Sequence, residues 1–295
     1  MLSPAYPGAV EPERHRFVQS LGLRLNLLEW GDPAAPPLVM CHGMFDHARS
    51  FATLAPLLAD KFHVVSVDAR GHGDSEWADS YNWPVDVVDI VNVIRSLARP
   101  CVLLGHSKGG GQATDAARIV PDLVLKLIDI DGFGPPPFQA EAEKLPTEFA
   151  KFLDGRRKRG PQRTWRAYAS LDDLIERRRV QNPRLSREWL RYFLYHGASE
   201  TEEGWRWKCD PIMGDGFGPW RPDWIAPGYK ALRSPMLAIV GSEADTWGPL
   251  PEEILMERLS YAPVFTRRTI AGAGHFVHIE QPAATAAAIR EFLDA

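Results

Sequence analysis

The sequence predicts an α/β protein: a mostly parallel sheet with helices on both faces, broken once by a helical insertion. Three observations predict it. Short apolar runs alternate with amphipathic stretches through the first half and resume at the end. Several of those runs are apolar throughout, as strands buried on both faces must be. Between about 134 and 228 the alternation stops, and helical spacing rich in tryptophan takes its place.

The elements follow in order. RFVQS (16–20) and LRLNLLEW (23–30) flank Leu21-Gly22 and read as a hairpin. PPLVMC (36–41) and FHVVSVDA (62–69) read as buried strands, with a helix expected over ARSFATLAPLLAD (48–60) between them. PVDVVDIVNVIRSLA (84–98) repeats its apolar positions every three or four residues, as a helix does. CVLLG (101–105) is a strand, SKGGGQATDAARIV (107–120) a helix and LVLKLIDID (123–131) a strand. The insertion opens with GFGPPPF and closes with GPWRPDWIAPGY. It holds helical patterns around EAEKLPTEFAKFL, TWRAYASLDDLIERRRV and SREWLRYFLYHG. Beyond it come a strand PMLAIVG (235–241), a helix around PEEILMERL (251–259), a strand VFTRRTIAG (264–272) and a helix AATAAAIREFL (283–293). The expected division is therefore a core of 1–133 and 229–295 with a helical cap at 134–228.

Composition narrows the class of function. At 45% hydrophobic and 24% charged, the chain has the material for a sizeable core. A net charge of −4 argues against a general affinity for nucleic acid. The basic run GRRKRGPQR (155–163) reads as a solvated helix end among acidic neighbours. Cys41, Cys101 and Cys209 form no CxxC, and reduced buried thiols are expected. The N-terminal stretch has no apolar signal region and nothing approaches a membrane span, so the expected location is cytoplasmic. Trp165, Trp189, Trp205, Trp207 and Trp220, with Trp224 near the boundary, fall in the insertion. Most are expected to glue it to the core and one or two to line a pocket.

The chemistry starts at GHSKGG (105–110). Ser107 stands between Gly105 and Gly109 at a strand-to-helix turn, which pushes a side chain out at the carboxyl edge of the sheet. Free amides at the start of the helix lie beneath it. An active serine needs a base and an acid to orient that base. GAGHFVHIEQP (272–282) offers His275 after the last strand, with His278 as a structural competitor. GSEADTW (241–247) offers Asp245 as the acid, with Glu243 as runner-up. Asp129 and Asp131 rank below, each having to reach His275 from one strand further along. The oxyanion donors expected are the amides of Lys108 and of Met44, in CHGMFDH (41–47) after the third strand. Phe45, His106 and Trp247 are the expected substrate contacts.

Together HGM (42–44), DARGHGDS (68–75), GHSKGG (105–110), the GSEAD loop (241–245) and GAGHFVHIEQP (272–282) resemble the α/β-hydrolase fold superfamily. The resemblance covers nearly all of the chain outside the insertion. It implies an eight-stranded, mostly parallel sheet with a helical cap after strand six. Within DARGHGDS it implies architectural roles for Asp68, Arg70, Gly71 and Gly73. The cap-bearing branch it resembles includes epoxide hydrolases, haloalkane dehalogenases, esterases and carbon–carbon bond hydrolases. A serine nucleophile in place of aspartate speaks against epoxide and haloalkane chemistry. Lys108 stands where relatives often carry methionine, glutamine or leucine; a cation there either biases substrate choice or makes an ion pair under the cap.

The expected activity is acyl transfer to water: a serine hydrolase cleaving a small to medium hydrophobic carboxylic ester through an acyl-enzyme on Ser107. It needs neither metal nor organic cofactor. A carbon–carbon bond hydrolase, an amidase or a perhydrolase would use the same triad. A ligand receptor on this fold is the reading from a different class. The sequence leaves a homodimer open.

Overall fold

The computed structural model describes residues 4–135, 142–159, 163–215 and 228–295. Trp220, Trp224 and the PPF of the opening GFGPPPF lie outside the described residues. Eight strands form one sheet: β1 (Arg14–Ser20), β2 (Leu23–Trp30), β3 (Pro37–Cys41), β4 (His63–Val67), β5 (Cys101–His106), β6 (Val124–Ile130), β9 (Met236–Gly241) and β10 (Phe265–Ile270). Their order is β1-β2-β4-β3-β5-β6-β9-β10. β2 runs antiparallel to both of its neighbours, and every pairing from β4 to β10 is parallel. The expected eight-stranded, mostly parallel sheet is what forms.

Helices cover both faces. Consecutive residues of one strand serve opposite layers, which is why β3, β5 and β9 are buried along their whole length. Val39 and Cys41 pack with α1 (Trp83–Ser96), α2 (Lys108–Ile119) and α6 (Glu252–Ser260). Leu38 and Met40 pack with the opposite layer, which includes Phe51, Leu54 and Ile289 of the last helix, Pro282–Asp294. Each such buried side chain contributes roughly 1.5–3 kcal/mol. Helix α1 starts where it does because Asn82 accepts the Val85 amide at 3.0 Å and proline follows at its first turn.

The helix expected over 48–60 does not form. Two short 3-10 turns, Ala48–Phe51 and Ala55–Leu57, stand in its place. Pro56 has no amide to donate, so an α-helix cannot run through this segment unbroken. The Ala48 amide instead donates to Asp68 Oδ1 at 2.6 Å. Asp68 also accepts from Asn26 Nδ2 at 2.8 Å and from the Asp74 amide at 2.9 Å, tying three segments to the end of β4.

Between β6 and β9 lie α3 (Leu145–Arg159), α4 (Leu171–Gln181), α5 (Arg187–Gly197) and a hairpin of β7 (Ala198–Thr201) and β8 (Gly204–Trp207). The sequence reading anticipated the helices but not the hairpin. Ser170 accepts from the Asp173 amide and the Asp173 carboxylate accepts from Ser170, a reciprocal cap that starts α4. Trp189 and Trp205 are buried in the insertion's own apolar cluster, which also takes in Ala52, Phe276 and Ile279 of the core. Arg184 extends that contact with bonds to Glu280 Oε2 at 2.8 Å and to the Gly272 carbonyl at 3.0 Å. The basic run is only partly solvated. Arg157 is exposed, but Arg163 donates to Asp210, whose side chain is fully buried. Cys41, Cys101 and Cys209 are free and buried.

Candidate active site

β5 ends at His106, and Ser107 carries φ 54° and ψ −125° before α2 begins. That backbone is costly for a residue with a Cβ, on the order of 1–3 kcal/mol, and persists only where its surroundings hold it. Here the crossing is too tight for side chains on either flank. A Cβ on Gly105 would stand 2.6 Å from the Gly110 Cα, and one on Gly109 would meet the Cys41 and His42 carbonyls. The elbow is pinned by the Ser107 amide donating to the Ile130 carbonyl at 2.9 Å.

His275, in the loop after β10, reaches back across the sheet edge to this serine. Its Nε2 lies 2.9 Å from Ser107 Oγ, and its Nδ1 lies 2.6 Å from Asp131 Oδ2. The geometry assigns the neutral tautomer: Nδ1–H donates to the carboxylate, and Nε2 accepts the serine hydroxyl. The Asp131 and His275 side chains are 5% and 7% exposed, so water screens the pair little.

Asp131, and not the expected Asp245, therefore meets the ring. Asp245 Oδ2 accepts the backbone amide of His275 at 3.1 Å, and its Oδ1 accepts the Thr246 amide at 2.6 Å. The reason lies in the order β5-β6-β9-β10. To reach Ser107 on β5, the His275 ring must lie over the ends of β5 and β6, and Asp131 leaves β6. Distance from the histidine's own strand was the wrong measure. Asp245 belongs to the loop after β9, where it fastens the start of the histidine loop. Gly248 of that loop is packed so closely that a Cβ there would stand 2.6 Å from Asp131 Oδ2.

The turn after β3 abuts the elbow. A Cβ on Gly43 would stand 3.2 Å from Ser107 Cβ. His42 fixes this turn: Nδ1–H donates to the Gly43 carbonyl at 2.7 Å, and Nε2 accepts the Ala69 amide at 3.0 Å. Burial pushes its pKa down to about 3, so it stays neutral. Met44 and the half-buried Phe45 follow, Phe45 with φ 54°. The Lys108 side chain makes an ion pair with Asp86 Oδ2 at 2.9 Å, and Gln112 Nε2 donates to the same oxygen at 3.0 Å.

The expected substrate contacts separate. Phe45 packs near Trp207, ring centroids 6.3 Å apart, and both line a cavity between the turn and the insertion. Trp247 is 65% exposed at the tip of the Asp245–Gly248 turn. His106 does not face the substrate side, contrary to expectation. It is 1% exposed and its Nε2–H donates to the His275 carbonyl at 3.0 Å, so it offers no face to a substrate. Neighbouring residues on a strand point to opposite sides, and the turn that exposes Ser107 buries His106. Polar atoms of His106, His278 and Asp46 gather within 4.8 Å of one another beneath the elbow.

A nucleophile elbow at the carboxyl edge of a mostly parallel sheet, with a histidine–aspartate pair on it, defines a hydrolase of the α/β type. The chain belongs to the alpha/beta hydrolase family, whose model matches residues 38–288. It is similar to the 2-(acetamidomethylene)succinate hydrolase of Mesorhizobium japonicum, 27% identical over 92% of each chain. It is also similar to esterase YbfF of Escherichia coli, 26% identical over 88% of this chain and 93% of that one. Among solved structures, the thioesterase domain from the curacin biosynthetic pathway superposes with a TM-score of 0.82. It is 25% identical and covers 94% of this chain and 99% of its own. No described helix is long and apolar enough to cross a membrane.

Proposed function

We propose that this hydrolase cleaves a small to medium carboxylic ester, apolar around the scissile bond, through an acyl-enzyme on Ser107. The observation that carries the reading is the hydrogen-bonded chain Ser107–His275–Asp131. Ser107 Oγ attacks the ester carbonyl as His275 Nε2 takes its proton. Asp131 keeps Nδ1 protonated, orients the ring and stabilises its cation. The amides of Met44 and Lys108 stabilise the tetrahedral oxyanion, each about 3 kcal/mol. His275 then protonates the leaving alkoxide. A water, deprotonated by the same nitrogen, releases the acid and frees Ser107.

Hydrolysis of p-nitrophenyl esters from acetate to octanoate tests this, with wild type and Ser107→Ala side by side. Turnover that depends on Ser107 is expected, and its best chain length sizes the pocket. No such turnover on any ester would move the reaction elsewhere. The other reading is cleavage of an amide-type bond by the same residues. What favours it is the likeness along nearly the whole chain to a 2-(acetamidomethylene)succinate hydrolase. The core and cap division at 134–228 belongs to this proposal.

A further inference from the structure

Among the described residues three arginines are buried: Arg70, Arg178 and Arg258. Two are fully employed. Arg70 chelates Asp89 with bonds of 2.6 and 2.7 Å, and Arg258 donates to the Phe133 and Pro135 carbonyls. Arg178, on α4, is 5% exposed and has no ion-pair partner among the described residues, and its Nε lacks a hydrogen-bond acceptor. Its guanidinium lies 5.6 Å from the Phe193 ring centroid and 5.4 Å from that of Trp207. Two aromatic faces soften the loss of water but do not replace an anion. Asp46 is the carboxylate whose charge bears on Arg178. Burial raises Asp46 to about 7, so at neutral pH it offsets only part of the cation.

Arg178 lines the cavity that Phe45 also lines. Phe45 follows Met44, the proposed oxyanion donor, so one wall of the cavity belongs to the turn beside the elbow. Neither Ser107 nor His275 lines the cavity, so Arg178 stands away from the reacting carbonyl. The cavity is small, about 10 Å³, roughly the room of one water, and the Asp46 carboxylate lines it beside Arg178.

We propose that Arg178 binds a carboxylate at the far end of the substrate, making this a hydrolase of acid-bearing esters. The planar fork of arginine accepts a carboxylate through two parallel hydrogen bonds, and the two rings hold that fork in place. The inference rests on the serine-hydrolase reading, which supplies the other end of the substrate.

The test compares p-nitrophenyl hemiesters of succinic, glutaric and adipic acid with neutral p-nitrophenyl esters of the same chain length. Wild type, Arg178→Gln and Arg178→Lys are assayed together. Wild type is expected to favour one hemiester by about tenfold or more in kcat/KM, and Arg178→Gln to erase that ratio mainly through KM. Arg178→Lys should restore part of it. The ratio is internal to each variant, so a general loss of folded protein does not move it. A wild type with no preference for any hemiester, or a ratio that Arg178→Gln leaves unchanged, overturns the proposal. Calorimetry of free glutarate with Ser107→Ala reads the anion site without turnover. Binding there that Arg178→Gln abolishes supports the site even if no ester is cleaved. Absence of Ser107-dependent hydrolysis counts against the hydrolase reading alone.

Discussion

Asp131 Oδ2 lies 2.6 Å from Nδ1 of His275, and the carboxylate and ring are almost wholly shielded from water. A second carboxylate, Asp245, reaches the same residue only through its backbone amide, at 3.1 Å. The two acids therefore do different work. One governs the ring's tautomer and charge, and the other sets where the loop begins. Asp131→Asn should lower kcat on a p-nitrophenyl ester by about 10³–10⁴-fold, because the amide cannot stabilise the histidine cation. Asp245→Asn should cost less than about tenfold, as its carbonyl can still accept the His275 amide. Equal losses in the two variants would contradict this division.

The strain at Ser107 gives a prediction about stability. With φ at 54°, a glycine would occupy the elbow without the Cβ penalty, whereas alanine would keep it. Both variants should be inactive, but Ser107→Gly should melt above Ser107→Ala. A difference of about 1 kcal/mol corresponds to roughly 2–4 °C in a chain of this size. Differential scanning calorimetry of the two variants measures it. A higher Tm for Ser107→Ala would mean that the elbow is not strained.

Much of this arrangement was legible in the sequence, because each piece is local. Gly105-x-Ser107-x-Gly109 encodes a crossing that only glycines permit, and His275 stands at once after the last strand. The acid was not legible. Asp131 and Asp245 both follow strands, and only the lateral order of those strands decides which lies beneath the ring. The helix misread over 48–60 had the right apolar spacing but carried Pro56. Arg178 was hidden in the run Arg177-Arg178-Arg179, which reads as a solvated charge cluster. Successive helix residues are turned by about 100°, so one of the three points inward while its neighbours face water. The ion pair left open for Lys108 was realised, but its partner, Asp86, stands on another helix.

That ion pair lies under the elbow, with the Lys108 side chain 8% exposed and Asp86 2% exposed. Removing one member of a buried pair strands the other charge. Lys108→Met should destabilise the fold by about 3 kcal/mol, softened where Gln112 and Arg70 still address Asp86. The double variant Lys108→Met/Asp86→Leu should recover a good part of that loss. Urea unfolding of the single and double variants gives the coupling directly. Additive losses would show that the pair contributes nothing as a unit.

The buried histidines should weaken the fold as the pH falls. His42 and His278 are both pushed down to about 3, burial being the first cause in each case. Unfolded, each would titrate near 6.5. Between those values the unfolded chain binds more protons than the native one, so stability falls as pH drops from about 6.5 toward 3. Each histidine contributes up to about 1.4 kcal/mol per pH unit in that window. Asp46, raised to about 7, acts in the opposite sense: its native form gains protons first as the pH falls from 7. His278→Gln should remove close to one proton from the slope between pH 4 and 6, read from urea unfolding at half-unit intervals. An unchanged slope would mean that His278 is protonated in the native protein.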